Sequence, residues 1–358
     1  MGLGARKPRP GACAGDVLVG TKRTRRARRS RRAARGARSV RRCLVTGAAG
    51  FIGSHLCEAL LARGDRVLGV DCFTDNYESA RKRANLADAL AAGLEFRGLD
   101  LTHDPLDTLL EEVDIVFHLA AQPGVRTSWG EDFDLYARRN LVATQRLLEA
   151  TLKAGRPRFV FASSSSVYGD LSGRPARESD RLAPVSPYGL TKAACEELVD
   201  VYRRVHGVSV VSLRYFTVYG PRQRPEMAFA SFIRAVLAGA PLCVFGDGGQ
   251  TRNFTYVTDA IAATIAAAEL STEPVYNVSG EKSATLLEAI AHIERLAGRP
   301  ALIRFAPSAR GDAYRTTADL TAARRDLGYS PEVMLGQGLA RQVQAAMRNP
   351  TELAEAVA

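Results

Sequence analysis

The run Cys43-Leu44-Val45-Thr46-Gly47-Ala48-Ala49-Gly50-Phe51-Ile52-Gly53 constrains the fold more than any other segment. It joins a short apolar stretch to a helical pattern through three glycines, one at every third position. A strand that enters a helix this way must turn sharply, let its backbone approach a ligand and pack the helix against the strand. Each demand selects glycine, although the spacing is GxxGxxG and departs from the usual GxGxxG. The alternation then continues. Residues 43–45, 66–70, 94–97, 114–119, 158–162 and 208–213 read as strands, and 50–63, 77–92, 132–154 and 188–205 as helices. Short strands spaced by helices predict parallel βαβ units. Several runs are apolar on both faces, as in a parallel sheet covered on both sides.

The predicted fold class is therefore α/β, a Rossmann doubly wound parallel sheet with a smaller C-terminal substrate-binding lobe. After Tyr215 proline, glycine and arginine cluster at 220–225 and 246–252, and shorter helices are predicted at 228–237, 259–269, 285–296 and 337–347. Three regions follow: a disordered basic extension over 1–39, a dinucleotide-binding Rossmann domain over 40–215, and a mainly substrate-binding lobe over 216–358 that interleaves with it. The net charge of +11 belongs to the first region: residues 1–42 hold fifteen Lys or Arg against Asp16 alone, leaving −3 for the rest. A basic run can bind nucleic acid or anionic lipid, but this one lacks interleaved aromatics and an apolar signal core. It reads as translated upstream sequence, with the biological start near Val40, and neither a nucleic-acid nor a membrane partner is expected. No apolar run approaches the roughly 20 residues that span a bilayer. The six cysteines and five histidines show no metal-ligand spacing, so no metal site is expected, and the cysteines suit a reducing, cytoplasmic compartment.

The cofactor site reads as Gly47, Gly50, Phe51, Ile52 and Gly53 at the turn, with Asp71 ending the second strand 18 residues after Gly53. A carboxylate there can accept both adenosine ribose hydroxyls and repels a 2′-phosphate, which predicts NAD over NADP. Asp100 and Leu101 follow the third strand, where an adenine edge can be met. Leu119, Ala120, Ala121 and Gln122 follow the fourth, small enough for backbone to approach the cofactor, and Tyr215 follows the sixth. Arg81, Lys82 and Arg83 read as a solvated helix face.

Tyr188 and Lys192 stand four residues apart after Pro187, one helical turn if Pro187 opens a helix. A phenol titrates near 10 and is a poor base, but an ammonium beside it stabilises the phenolate. The pair can then take a proton from an alcohol while a nearby acceptor takes hydride. Ser163 to Ser166 follow the fifth strand, where a serine hydroxyl can hydrogen-bond the reacting oxygen.

The ordered segments GAAGFIGSHL, LAAQPGVR, SSSSVYG, SPYGLTK, RYFTVYGPRQRP, GDGGQTRNFTYV and the RGD at 310–312 resemble the extended short-chain dehydrogenase/reductase family, in particular its nucleotide-sugar epimerases and dehydratases. The resemblance spans about Arg42 to Gln342. It implies NAD, a UDP-, GDP- or dTDP-sugar substrate, a homodimer, and a triad that falls on Ser164, Tyr188 and Lys192. In 4,6-dehydratases of this pattern Asp-Glu precedes Val-Tyr-Gly, and in UDP-glucuronate decarboxylases Glu does; here Ser165 and Ser166 stand there. That leaves 4-epimerisation. Thr217 and Arg224 resemble the uronic-acid 4-epimerases, and a guanidinium can pair bidentately with a C6 carboxylate. By family position Arg126, Phe245, Arg252 and Arg310 join Ser164, Ser165, Ser166, Thr217 and Arg224 as expected UDP-sugar contacts. Another UDP-hexose 4-epimerase or a UDP-glucuronate decarboxylase stays open as the alternative.

Overall fold

Successive residues of strand β1 (Arg42–Thr46) are buried on opposite sides, Cys43 and Val45 in one hydrophobic cluster and Leu44 in another. Such alternation with both faces apolar needs a sheet covered by helices on both sides. The computed structural model, which describes residues 40–171, 173–308, 311 and 313–348, contains that sheet. The basic extension expected over 1–39, and Arg310, lie outside the described residues.

Strands β2 (Arg66–Asp71), β3 (Glu95–Gly98), β4 (Ile115–His118), β5 (Arg158–Ser164) and β6 (Val210–Tyr215) join β1. Their order is β3-β2-β1-β4-β5-β6, with Val275–Val278 as a seventh strand beyond β6, and every pairing is parallel. The winding reverses between β1 and β4, where Thr46 is in register with His118. Loops leave such a point in opposite directions and open a crevice at the carboxyl ends of the strands.

Helices α1 (Phe51–Ala62) and α2 (Ser79–Ala91), together with Val257–Leu270, supply residues to the Cys43 side of the core. Helices α3 (Ala143–Lys153) and α4 (Pro187–His206) pack on the Leu44 side. Helix α4 opens one residue before the predicted Tyr188. Pro187 sits in its first turn and the Ser186 hydroxyl caps it by accepting the Gly189 N–H at 3.1 Å. It stops at Gly207, whose φ of 67° suits a left-handed cap.

Two features escaped the sequence. Helix α3 is entered through a π-helical stretch, Ala137–Val142, which hydrophobic spacing does not distinguish from α-helix. The seventh strand comes from beyond residue 215, so the sheet itself uses chain from the second half. Around it the second half adds small pairings, among them Pro241–Phe245 with Leu302–Ala306, and the helices Ala228–Ala238, Leu286–Ala297, Thr321–Leu327 and Leu335–Met347. No helix among the described residues is long and apolar enough to cross a membrane.

Candidate active site

A cavity of about 410 Å³ lies over the carboxyl ends of β1, β2, β4 and β5. Gly47, Gly50, Phe51, Ile52 and Gly53 form one wall. Gly47 has a φ of 71°, and a Cβ on Gly53 would stand 2.0 Å from the Gly47 carbonyl oxygen. Helix α1 can sit this close to the turn only with glycine there. No side chain caps α1 at Gly50, so its first N–H groups face the cavity as a ready anion site.

The Asp71 carboxylate accepts the N–H of Phe73 at 2.8 Å and of Ala49 at 3.1 Å, joining the end of β2 to the glycine turn. Burial pushes its carboxyl up, opposed by those bonds and by the Lys82 charge. Lys82 is where sequence misleads. It is buried, lines the cavity, and donates to the Thr74 carbonyl at 2.6 Å, Thr74 Oγ1 at 2.8 Å and Asn76 Oδ1 at 2.8 Å. Its place on the face shared with Leu86 and Ala89 was the available signal. Tyr77, also unforeseen, carries the Lys82 ammonium 4.7 Å from its ring centroid, and its buried hydroxyl has no hydrogen-bond partner among the described residues.

Beneath the cavity floor at Leu119, Ala120 and Ala121 runs a buried relay. The Ala120 N–H donates to Thr46 Oγ1 at 3.2 Å, and the Thr46 hydroxyl meets His118 Nδ1 at 2.8 Å. His118 Nε2 meets Thr144 Oγ1 at 2.9 Å, and that hydroxyl donates to the Asn140 carbonyl at 2.6 Å. A neutral imidazole protonated at Nε2 satisfies every link. Burial accordingly lowers His118 to about 3. Gln122 is held away from the cavity: its backbone donates to Asn140 Oδ1 at 2.7 Å and its side chain accepts from Arg139 at 2.8 Å.

Ser164, Ser165, Ser166, Tyr188 and Lys192 meet on the opposite wall. Burial raises the Tyr188 phenol, opposed first by the Arg224 charge and then by a hydrogen bond with Ser164. Lys192 is only 4% exposed, donates to the Ala162 carbonyl at 2.8 Å, and is lowered by burial to about 8. Sequence gives the task of acidifying the phenol to Lys192; the structure adds a second cation, Arg224, whose charge opposes the effect of burial on Tyr188. One turn beyond Lys192, Glu196 forms a buried ion pair with Arg214 at 2.7 Å and accepts from Ser163, which ties α4 to the ends of β5 and β6.

Thr217 and Arg224 line the cavity, as do Asp100, Leu101 and Tyr215, whose hydroxyl is engaged by Thr264 at 2.6 Å. Arg224 Nε lies 2.6 Å from Glu226 Oε1. Arg126, Phe245 and Arg252 do not line this cavity. Arg126 stacks on Phe245, 4.1 Å from its ring centroid. Arg252 donates to the carbonyls of Thr251 at 3.0 Å, Tyr314 at 2.9 Å, and Ala313. Among the described residues no three His, Cys, Asp or Glu side chains group to hold a metal ion. The arrangement joins an anion-binding helix end, a ribose-type carboxylate and a Ser–Tyr–Lys group, chemistry suited to moving a proton beside a bound dinucleotide.

The model of the NAD dependent epimerase/dehydratase family matches residues 43–279. An uncharacterized UDP-glucose epimerase of Bacillus subtilis is 45% identical over 305 residues, covering 84% of this chain and 96% of that protein. A UDP-glucuronate 4-epimerase of Thermodesulfobacterium geofontis is 36% identical over 312 residues, covering 86% and 96%. Among solved structures, the UDP-glucuronic acid 4-epimerase of Bacillus cereus in complex with UDP-glucuronic acid and NAD is 43% identical, with a TM-score of 0.83, covering 86% of this chain and 99% of that one.

Proposed function

The chain belongs to the NAD dependent epimerase/dehydratase family, and from that premise we propose that it is a UDP-glucuronate 4-epimerase, interconverting UDP-glucuronate and UDP-galacturonate. The observation that carries the reading is Arg224, a guanidinium in the same cavity as Tyr188, Lys192 and the serine loop. The site fits NAD: the α1 N-terminus without a side-chain cap suits a pyrophosphate, Asp71 suits the ribose hydroxyls, and the unpartnered Tyr77 hydroxyl needs a polar group.

Held by these residues, NAD would supply the acceptor for hydride from C4 of the sugar and its donor for return to the opposite face. Tyr188 removes the proton from the C4 hydroxyl and later restores it. Ser164, on the same wall as Tyr188, holds the reacting oxygen in line. Lys192, fixed by the Ala162 carbonyl, keeps positive charge beneath the phenol. Arg224 pairs with the C6 carboxylate, selecting a uronic acid. That pairing also guards the intermediate, because a 4-keto uronate is a β-keto acid that sheds CO₂ when its carboxyl bond aligns with the ketone. Ser165 and Ser166 supply no acid–base pair for loss of water.

A second reading, UDP-glucose 4-epimerisation, draws on the Glu226 carboxylate that already engages Arg224. We further propose a homodimer through α4, which exposes Leu190, Val201 and Val205, the last at 67%, and a cytoplasmic location that suits the free cysteines among the described residues. The test is NMR of the sugar after incubation with UDP-glucuronate or UDP-glucose and no added NAD. The expected product is UDP-galacturonate, without CO₂ or net NADH. A pentose product, or turnover of UDP-glucose alone, overturns the assignment.

A further inference from the structure

We infer that Arg222 is a positioning residue: it straps the loop that carries Arg224 onto the two cofactor-side helices and so sets where the Arg224 guanidinium stands in the cleft. The inference rests on the proposed uronic-acid specificity and concerns how this chain achieves it.

Arg222 is one of the few non-glycine residues with positive φ, at 65°. That left-handed conformation is unfavourable for a residue with a Cβ and persists only when surrounding contacts hold it. The contacts are there. Arg222 Nη1 lies 2.6 Å from Glu58 Oε1 and 3.3 Å from Ser54 Oγ, both on α1, and Nη2 lies 3.2 Å from Asp88 Oδ2 on α2. A forked guanidinium can serve all three at once, whereas an ammonium cannot keep that geometry.

The next residue is tied the other way. Gln223 Nε2 donates to the Val218 carbonyl at 3.1 Å, and Gln223 Oε1 accepts from the Ala230 N–H at 3.0 Å and from Gln342 at 2.9 Å. Met227 then donates its N–H to the Arg224 carbonyl at 3.0 Å, closing the turn. The chain leading into Arg224 is therefore held twice, by a clamp to the substrate lobe at Gln223 and by a clamp to the cofactor helices at Arg222. Release the second and the backbone at Arg222 relaxes toward negative φ, carrying the guanidinium two residues on away from Tyr188. Neither Arg222 nor Glu58 lines the cavity, so the effect reaches the substrate only through Arg224.

The test compares wild type with Arg222→Ala, Arg222→Gly and Glu58→Gln. Readouts are NAD content, affinity for UDP, KM for UDP-glucuronate and release of CO₂. Turnover of UDP-glucuronate by wild type establishes the activity first; its absence overturns the proposed function and this inference with it. Given that activity, Arg222→Ala should raise KM for UDP-glucuronate by about tenfold, the scale of losing a small network of partly exposed charged contacts. UDP affinity and NAD content should stay within about twofold, since UDP has no uronate carboxylate. Glu58→Gln should shift KM in the same direction by less. Arg222→Gly should recover part of the loss, because glycine holds a positive φ without strain. Equal weakening of UDP and UDP-glucuronate, an unchanged KM in Arg222→Ala, or Arg222→Gly worse than Arg222→Ala would each overturn the strap.

Discussion

Lys192→Met should make the protein more stable and far less active. Burial has lowered the lysine from 10.5 to about 8, with the charges of Cys195 and Glu196 only partly opposing it. Below about pH 8 both folded and unfolded chains carry the proton, and the folded state bears the full cost of burying it. Between about 8 and 10.5 the unfolded chain holds the proton and the folded chain does not, so stability rises with pH. Above that window both forms are neutral and the cost is gone. The difference corresponds to about 3 kcal/mol. Methionine keeps an unbranched stem of similar bulk but gives up the bond to the Ala162 carbonyl, about 1 kcal/mol. The variant should therefore exceed wild type by about 2 kcal/mol near neutral pH, with the margin shrinking to nothing or reversing near pH 10.5. Turnover should fall by about 100-fold or more as the charge under the Tyr188 phenol disappears. Urea denaturation of cofactor-free protein at pH 7 and 10 measures the first effect. A pH–rate profile of wild type, with an alkaline limb near 8, measures the second. A variant less stable than wild type at neutral pH, or a margin indifferent to pH, would refute the reasoning.

Three further outcomes are expected. Gly53→Ala places a methyl 2.0 Å from the Gly47 carbonyl oxygen, so the turn must open and the purified protein should lose its bound dinucleotide, read from its absorbance ratio. Tyr188→Phe should lower turnover by about 1,000-fold or more while NAD content stays at the wild-type level; retained activity would remove the tyrosine from its role. His118 is lowered by burial from 6.5 to about 3, so below 6.5 the unfolded chain takes up a proton that the folded chain refuses. Stability should then decline as pH falls from 6.5 toward 3, and a His118→Gln variant should show a shallower decline in acid denaturation curves.

What sequence reveals and what it hides follow from the range of the interactions involved. The six strands up to Tyr215 and the helices between them rest on local apolar periodicity, and each appears within a few residues of its expected place. Val275–Val278 was hidden because its partner is β6, some 60 residues earlier in the chain, and four residues carry too little pattern to announce a strand. Strand ends and one helical turn set where the glycine turn, Asp71 and the Tyr188–Lys192 pair fall, whereas Ser164 was picked out of its serine run only by the family resemblance. Lys82 was misjudged because three basic residues in a row look solvated, although helical spacing puts the middle one on the face of Leu86 and Ala89.

The charge balance at Tyr188 lies deeper. An i,i+4 spacing correctly brings Lys192 to the same wall, yet spacing does not say where an ammonium points, and this one is held by the Ala162 carbonyl. A second cation that opposes burial of the phenol arrives on a loop from the other half of the chain. That loop's path depends on Arg222 holding a conformation that arginine disfavours, through partners on α1 and α2 far away in sequence. Base and substrate anchor would thereby be coupled: the residue proposed to select a carboxylate also places its charge toward the phenol proposed to remove the proton. A substrate carboxylate pairing with Arg224 would weaken its pull on Tyr188, so binding and proton transfer cannot be adjusted independently at this site.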